Sequence, residues 1–598
     1  MMICKRFIYS KLSFPQVRTF KVNCKESLGE LIYIKLSCKP FMLLENKWFC
    51  DKISVTTPKD DEILFPCYRW LGSDDTLVVR QAKGRHSPFI SWLESRFICV
   101  AYLWNVYAEG MPHIVNYDSA SALPDEIQFS STKDIEFYFM AGNMCSDTAC
   151  FVDYVKKHWD EDEFFGYQLL NGLNPMMIQR CSKLPENFPV TEEMVKDSLR
   201  GSTFEVEMEV GSKLVLIKVT QLHVVYTGWL MGKTPDVALT YWCASLMCVC
   251  LFFFFQLRQN TGDDNPIFLP TDSKFDWQLA KIYVRAAEFS VHEVDFHLLR
   301  THLLAEVFTM ATLRNLPSAH PLFKLLIPHT RYTLQINIMA RNHLISEDGT
   351  LTNHSGIGGA AMENLMRRAT ASLTYSSLCL PDDISERGLG KVPNYYYRDD
   401  GMKLWIVINK YVEGVLQHYY KSDDDVQKDT ELQSWIREIF TEGFLERKRI
   451  PEKFQAVRDL IKFVTMVIFT VSAQHAAVNN GQFEFGGWMP NFPSALRKPP
   501  PKEKGQTTKD TILETLPDIG TTVNTLAVLR LLAKKSTDHY PLGYFPEQLY
   551  DEKVPCKLIE DFQKDLEKLT VDIEERNKKL ELPYTYLDPK NVDNSVAL

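Results

Sequence analysis

FDWQLAKIYVRAAEFSVHEVDFHLLRTHLLAEVFTMATLR, residues 275–314, contains neither Gly nor Pro. Its apolar positions nearly encircle a helical wheel, so the run predicts a helix buried at the centre of a large domain. That helix carries His292, His297 and His302 in an HxxxxHxxxxH pattern. A buried imidazole needs partners, and a metal ion or hydrogen bonds can supply them. On a regular α-helix, residues i and i+5 diverge by about 140°. They converge only where the helix is wound as π, a rare form that tends to mark functional sites. Spacing alone leaves metal ligands and satisfied core histidines both open.

Working outward, FQAVRDLIKFVTMVIFTVSAQHAAV (454–478) is a second helix apolar on most faces. It brings His475, and Asn479 follows at i+4 on the same side. Imidazoles with an oxygen donor and an open position suit non-haem Fe(II) better than structural zinc. The segment HEVDFH is one residue too long for a zinc-protease HExxH motif. LQSWIREIFTEGFL (432–445) is a further helix, KPPPKEKGQTTKD (498–510) a surface loop, and LIEDFQKDLEKLTVDIEERNKKL (558–580) an amphipathic surface helix.

The chain has 598 residues, 45% hydrophobic and 24% charged, with net charge −9. These values exclude collagen-like, wholly disordered and disulfide-dense classes, and no basic surplus invites nucleic acid. The 14 cysteines form no CxxC pair, as expected of a reduced, cytoplasmic protein. MMICKRFIYSKLSF lacks a secretory apolar core and cleavage site. Residues 22–82 read as β-strands, with ELIYIKLSC and KWFCDKISVTT as the clearest. Trp48 and the cluster Phe41, Met42, Leu43 and Leu44 fit either a core or a lipid-facing surface. Val237–Leu257 carries no charge and is long enough to cross a bilayer. Three readings apply to it: a membrane helix, a buried insertion, or translated sequence foreign to the protein, the last being favoured.

Long ordered blocks resemble animal lipoxygenases. They are FFGYQLLNGLNP (164–175), FLPTDSKFDWQLAKIYVRAAEF (268–289), HLLRTHLLAEVFTMATLRNLPSAHPLFKLLIPHTRYTLQIN (297–337), LTYSSLCLPDD (373–383), QHAAVNNGQFEFGGWMPNFP (474–493) and LPYTYLDPKNVDNSVAL (582–598). VPNYYYRDDGMKLW (392–405) is most similar to the epidermal branch, which includes a hydroperoxide isomerase. The resemblance implies a mainly α catalytic domain over 83–598, with 205–255 atypical. Ahead of it, at 20–82, stands a small, truncated β-sandwich of the PLAT type. Its first strands and calcium-binding loops are missing by this comparison, which makes calcium there doubtful.

The resemblance further implies one iron held by His297, His302, His475, Asn479 and the terminal carboxylate of Leu598. The family usually ends in isoleucine, but the α-carboxylate is the ligand. No catalytic side chain is implied beyond hydroxide on the iron, which serves as proton acceptor. His292 matches an extra histidine beside the metal. Glu293 and Gln482 match positions linking the ligands to the substrate cavity. Leu298, Leu303, Leu344 and Leu532 match positions flanking the reactive pentadiene, and Phe289 one that sets cavity depth. Ala340 resembles the S-specific members. Arg341 fits a fatty-acid carboxylate or a structural salt bridge equally well.

Three functions follow as expectations. The first is a dioxygenase that turns polyunsaturated fatty acids with a cis,cis-1,4-pentadiene into (S)-hydroperoxides. The second is an isomerase making epoxy-alcohols from such hydroperoxides. The third is an inactive lipid-binding homologue. The expected partners are the fatty acid or its hydroperoxide, O2, and a membrane surface touched reversibly.

Overall fold

The computed structural model describes residues 19, 21, 31, 33–37, 48–57, 60, 62–71, 76–80, 102–142, 150–179, 215–218, 239–242, 251–256, 266–268, 272–445, 450–547, 549–550 and 552–598. Near the N-terminus, strands β1 (Tyr33–Ser37), β2 (Trp48–Thr56), β3 (Glu62–Leu71) and β4 (Thr76–Arg80) make two antiparallel pairs, β1 with β4 and β2 with β3. Cys50, Phe65, Cys67, Leu71 and Val79 form a small core of their own. The cluster Phe41, Met42, Leu43 and Leu44 and residues 1–18 lie outside the described residues.

A short pair, β5 (Trp104–Asn105) and β6 (Ile114–Val115), precedes the helices. Strands β7 (Val215–Lys218), β8 (Leu239–Trp242), β9 (Leu251–Gln256) and β10 (Ile267–Phe268) then form an antiparallel meander. Leu239 pairs with Phe254, and Ile267 with Gln256. The described parts of Val237–Leu257 are therefore strands, which corrects the membrane-helix reading. Aromatic residues such as those in LFFFFQ fit a pleated ladder, which also satisfies the backbone groups. Among the described residues, the one helical run long and apolar enough to cross a bilayer is Val457–Gly486, and it is packed inside the protein.

The remainder is mostly helical. Helix Lys274–Val291 starts at Ser273, whose hydroxyl accepts the Asp276 N–H at 3.2 Å. Every residue from Asp276 to Val291 is buried, including charged ones, so those charges need partners. Lys281 Nζ donates to Asp162 at 2.7 Å and to the Asp160 carbonyl at 2.6 Å. Arg285 pairs with Glu288 and lies 4.2 Å over the Phe165 ring. The helical path then changes winding: His292–Leu303 is π, and Leu304–Asn315 returns to α.

Helix Val457–Phe469 passes through a π turn at Thr470–Gln474 and resumes as His475–Asn479, and these last two segments pack on His292–Leu303. Helix Tyr396–Tyr419 packs between Val457–Phe469 and Lys553–Asn577. The latter buries Phe562, Leu566, Leu569 and Ile573 along one stripe, the spacing of an amphipathic surface helix. From Tyr584 the chain runs inward and ends on Leu598, which is buried.

Candidate metal centre

The π winding at His292–Leu303 turns an otherwise divergent pair into a convergent one. His297 and His302, five apart, bring their Nε2 atoms to 3.2 Å. The second π turn ends immediately before His475, whose Nε2 lies 3.3 Å from that of His302. The same Nε2 is 3.1 Å from the Leu598 oxygen. Candidate ligand atoms of His297, His302 and His475 all lie within 4.8 Å of one another, and all three residues are buried.

The outer ring nitrogens fix which atoms face inward. His302 Nδ1 lies 2.9 Å from Asn337 Oδ1. The Asn337 amide can present only its oxygen there, because its Nδ2 donates to the His302 carbonyl at 2.7 Å and to Glu306 at 2.8 Å. His297 Nδ1 lies 3.2 Å from Glu293 Oε2. Both rings therefore carry their proton outside and a lone pair inside, the arrangement that outer partners impose on ligating histidines.

Burial pushes the His302 imidazole down to about 3, with the His297 ring adding to the effect. Burial likewise lowers His297, and takes His475 well below the ordinary histidine range. All three are neutral near pH 7, as metal ligation requires. Burial alone would raise the Glu293 carboxyl, but the His292 and His297 rings hold it down to about 2. The two inward lone pairs of His297 and His302, 3.2 Å apart with no proton between them, repel each other unless a cation sits beside them. The donor set of neutral imidazoles and oxygens fits a borderline divalent metal of the iron type.

Asn479 joins the centre from one helical turn beyond His475. Its Nδ2 donates to the Leu532 carbonyl at 3.0 Å, and its Oδ1 accepts Gln482 Nε2 at 2.8 Å. His292 stands aside: its Nε2 donates to the Val478 carbonyl at 2.7 Å, and its ring stacks on His297 with centroids 5.6 Å apart.

The remaining sequence candidates are apolar or already engaged. Phe289, Leu298 and Leu303 sit in the main core, with Leu344 packed against it. Ala340 and Leu532 are buried. Phe289 meets Phe492 at 5.2 Å between rings. Of the two readings of Arg341, the geometry shows the salt bridge, since Nη1 donates to Glu306 at 2.7 Å. Glu306 is fully buried and also accepts the Val115 and Asn337 N–H groups.

Sequence reasoning missed Glu306 and Asn337. The only signal was their place in the 297–337 block, since nothing in spacing ties them to His302. A second cluster, His320, Asp429 and Glu431, also satisfies metal-ligand distances. There His320 Nδ1 already accepts the Leu322 N–H at 3.1 Å, and Nε2 donates to Asp429 at 3.0 Å.

The lipoxygenase family model matches residues 256–585, and the PLAT/LH2 domain model matches residues 10–80. Polyunsaturated fatty acid lipoxygenase ALOX15B of Homo sapiens is 40% identical over 629 residues, covering 97% of this chain and 92% of that protein. Hydroperoxide isomerase ALOXE3 of Rattus norvegicus is 37% identical over 675 residues, covering 97% and 93%. The crystal structure of a coral 8R-lipoxygenase matches with a TM-score of 0.85 at 31% identity, over 95% of this chain and 91% of that one.

Proposed function

The chain belongs to the lipoxygenase family, oxidoreductases that use non-haem iron, and from that premise we propose that it dioxygenates polyunsaturated fatty acids to (S)-hydroperoxides. The observation that carries this reading is the convergence of three neutral imidazole Nε2 atoms beside the Leu598 oxygen. His297, His302, His475, Asn479 and the Leu598 carboxylate would hold one iron. An iron bound there would supply the one-electron redox chemistry needed to remove a hydrogen atom from the methylene between two cis double bonds. O2 would then add to the pentadienyl radical, and the electron and proton first removed would return to the peroxyl oxygen, so that R–H and O2 become R–OOH.

The protein's own groups position the reactants and exclude water. Leu298, Leu303, Leu344 and Leu532 flank the pentadiene in an apolar wall, and Phe289 closes its depth. Ala340 blocks one end of the pentadiene to O2 and sets S chirality. Glu293 and Gln482, which touch His297 and Asn479, hold those ligands in orientation. Residues 20–82 form the lipid-associating module and 83–598 the catalytic one, in a cytoplasmic enzyme that docks reversibly on membranes.

The similarity to a hydroperoxide isomerase supports a second reading on the same site, conversion of fatty-acid hydroperoxides to epoxy-alcohols. Oxygen-electrode traces with linoleate or arachidonate, followed by chiral analysis of the product, separate the two. O2 uptake giving one S-hydroperoxide is expected. Turnover of added hydroperoxide without O2 uptake would replace the first reading by the second.

A further inference from the structure

The terminal carboxylate can serve as a ligand only if the chain end is held as firmly as a side chain on a helix. A free C-terminus has no helix or sheet to fix it, and chain ends fray by default. Here the last residues are bonded almost one by one. The Leu542 N–H donates to the Val592 carbonyl at 2.8 Å, and the Asn594 N–H to the Tyr540 carbonyl at 2.9 Å. The Asn594 side chain accepts the Gly543 N–H at 3.0 Å and donates to the Tyr544 carbonyl at 2.7 Å.

On the opposite side, the tail meets the lead-in to helix Thr333–Ala340. His329 Nδ1 lies 2.7 Å from the Asn594 carbonyl oxygen, so that ring nitrogen carries the proton and donates. Ser595 Oγ donates to the Arg331 carbonyl at 2.7 Å, and Thr333 Oγ1 to the Val596 carbonyl at 3.3 Å. The same helix carries Asn337, which orients His302. One segment, 329–337, therefore touches the candidate ligand His302 and also holds residues 594–596, the stretch of chain that leads to Leu598.

His329 is the imidazole in this bracket. It is buried, its Nε2 has no hydrogen-bond partner, and Phe545 packs edge-on at 5.8 Å. Its single polar contact is spent on the tail. We propose that His329 is a positioning residue for the terminal ligand: its hydrogen bond to Asn594 fixes the last turn of chain so that the Leu598 carboxylate stays beside His475. The inference rests on the reading of Leu598 as a ligand.

The bracket predicts a distinct signature. Removing the donor should loosen the metal without disturbing the apolar substrate wall. An asparagine at 329 places its Nδ2 where His329 has Nδ1, so it should restore the bond.

The test uses the full chain, wild type, His329→Leu and His329→Asn, each loaded with iron(II) and challenged with an excess of chelator. His329→Leu is expected to lose iron at least tenfold faster than wild type, with His329→Asn within about threefold of it. The KM for linoleate should stay within twofold while kcat falls. The iron-dependent rise in Tm should shrink in His329→Leu, whereas a merely structural residue would lower apo and holo Tm together. Thr333→Val combined with Ser595→Ala removes the neighbouring tail bonds and gives the same readout should His329→Leu not fold. A wild-type chain that takes up no iron overturns the metal reading and this inference with it. A wild-type chain that holds iron, with His329→Leu and the double variant releasing it no faster, overturns the inference alone.

Discussion

Among the described residues, two groups of candidate ligands are equally close-set and differ in what their histidine nitrogens already do. At His297, His302 and His475 the candidate ligand atoms lie within 4.8 Å, as they do at His320, Asp429 and Glu431. In the first, Nδ1 of His297 and of His302 is tied to an outer oxygen, and the Nε2 atoms face one another. In the second, both nitrogens of His320 are taken: one caps the Pro321–Leu326 helix, the other binds Asp429. Proximity does not make a metal site. Lone pairs left facing inward by outer hydrogen bonds do.

The comparison breaks most decisively at an inner ligand. His302→Ala should reduce iron to background by elemental analysis and abolish O2 uptake, beyond the roughly 100-fold cost of losing an outer partner. Activity persisting in that variant would remove His302 from the ligand set. Asn337→Leu keeps the ring but frees its Nδ1, so metal affinity should fall roughly 10–100-fold by chelator competition. An unchanged affinity would mean that helix packing alone orients His302.

The second cluster should respond in a different quantity. Burial works against ionising Asp429, but the His320 ring outweighs it and holds the carboxyl below the usual range. His320→Leu leaves that carboxylate short of a partner and strips the Leu322 cap, costing about 1–3 kcal/mol in urea unfolding. Iron content should not change. A loss of iron in His320→Leu would erase the distinction between the clusters.

The fold lies close to the surface of the sequence. A run without Gly or Pro, apolar on nearly all sides, has only one place to go, and helix Lys274–Val291 is buried from Asp276 onward. The i, i+5 histidines could be read only conditionally, because π winding is a cooperative property of the helix and its packing. The partners of the site were less legible still. Glu306 and Asn337 are 31 residues apart and meet only after the chain folds. Arg341 stayed ambiguous because a guanidinium beside a cavity and one beside a buried carboxylate look alike in one dimension. Of the readings of the uncharged run 237–257, the structure decides against the membrane helix: hydropathy reports polarity and not winding, and the described parts of the run are the short strands β8 and β9.

His329 differs from the histidines of both clusters, with one nitrogen tied to Asn594 and the other without a hydrogen-bond partner, and this makes it a pH marker. Burial lowers its imidazole to about 4, only partly offset by the Asn594 carbonyl. In the unfolded chain the same ring titrates near about 6.5. Between those values the unfolded chain binds the extra proton, so protonation favours unfolding and stability falls as pH falls. The full contribution is present above about pH 6.5 and is lost towards pH 4. One such histidine contributes a slope of about 1.4 kcal/mol per pH unit in that window. The inner histidines of the metal-free chain add slopes of the same sign, since burial lowers them too. Asp429 acts lower on the scale, below the ordinary carboxylate value, because its ionised form is the one the fold stabilises. Urea titrations of the metal-free chain at pH 7, 6 and 5 should therefore show His329→Asn losing one proton's worth of slope relative to wild type. Equal slopes would mean that the ring is protonated in the folded chain, and that its Nε2 finds a partner the tail geometry does not provide.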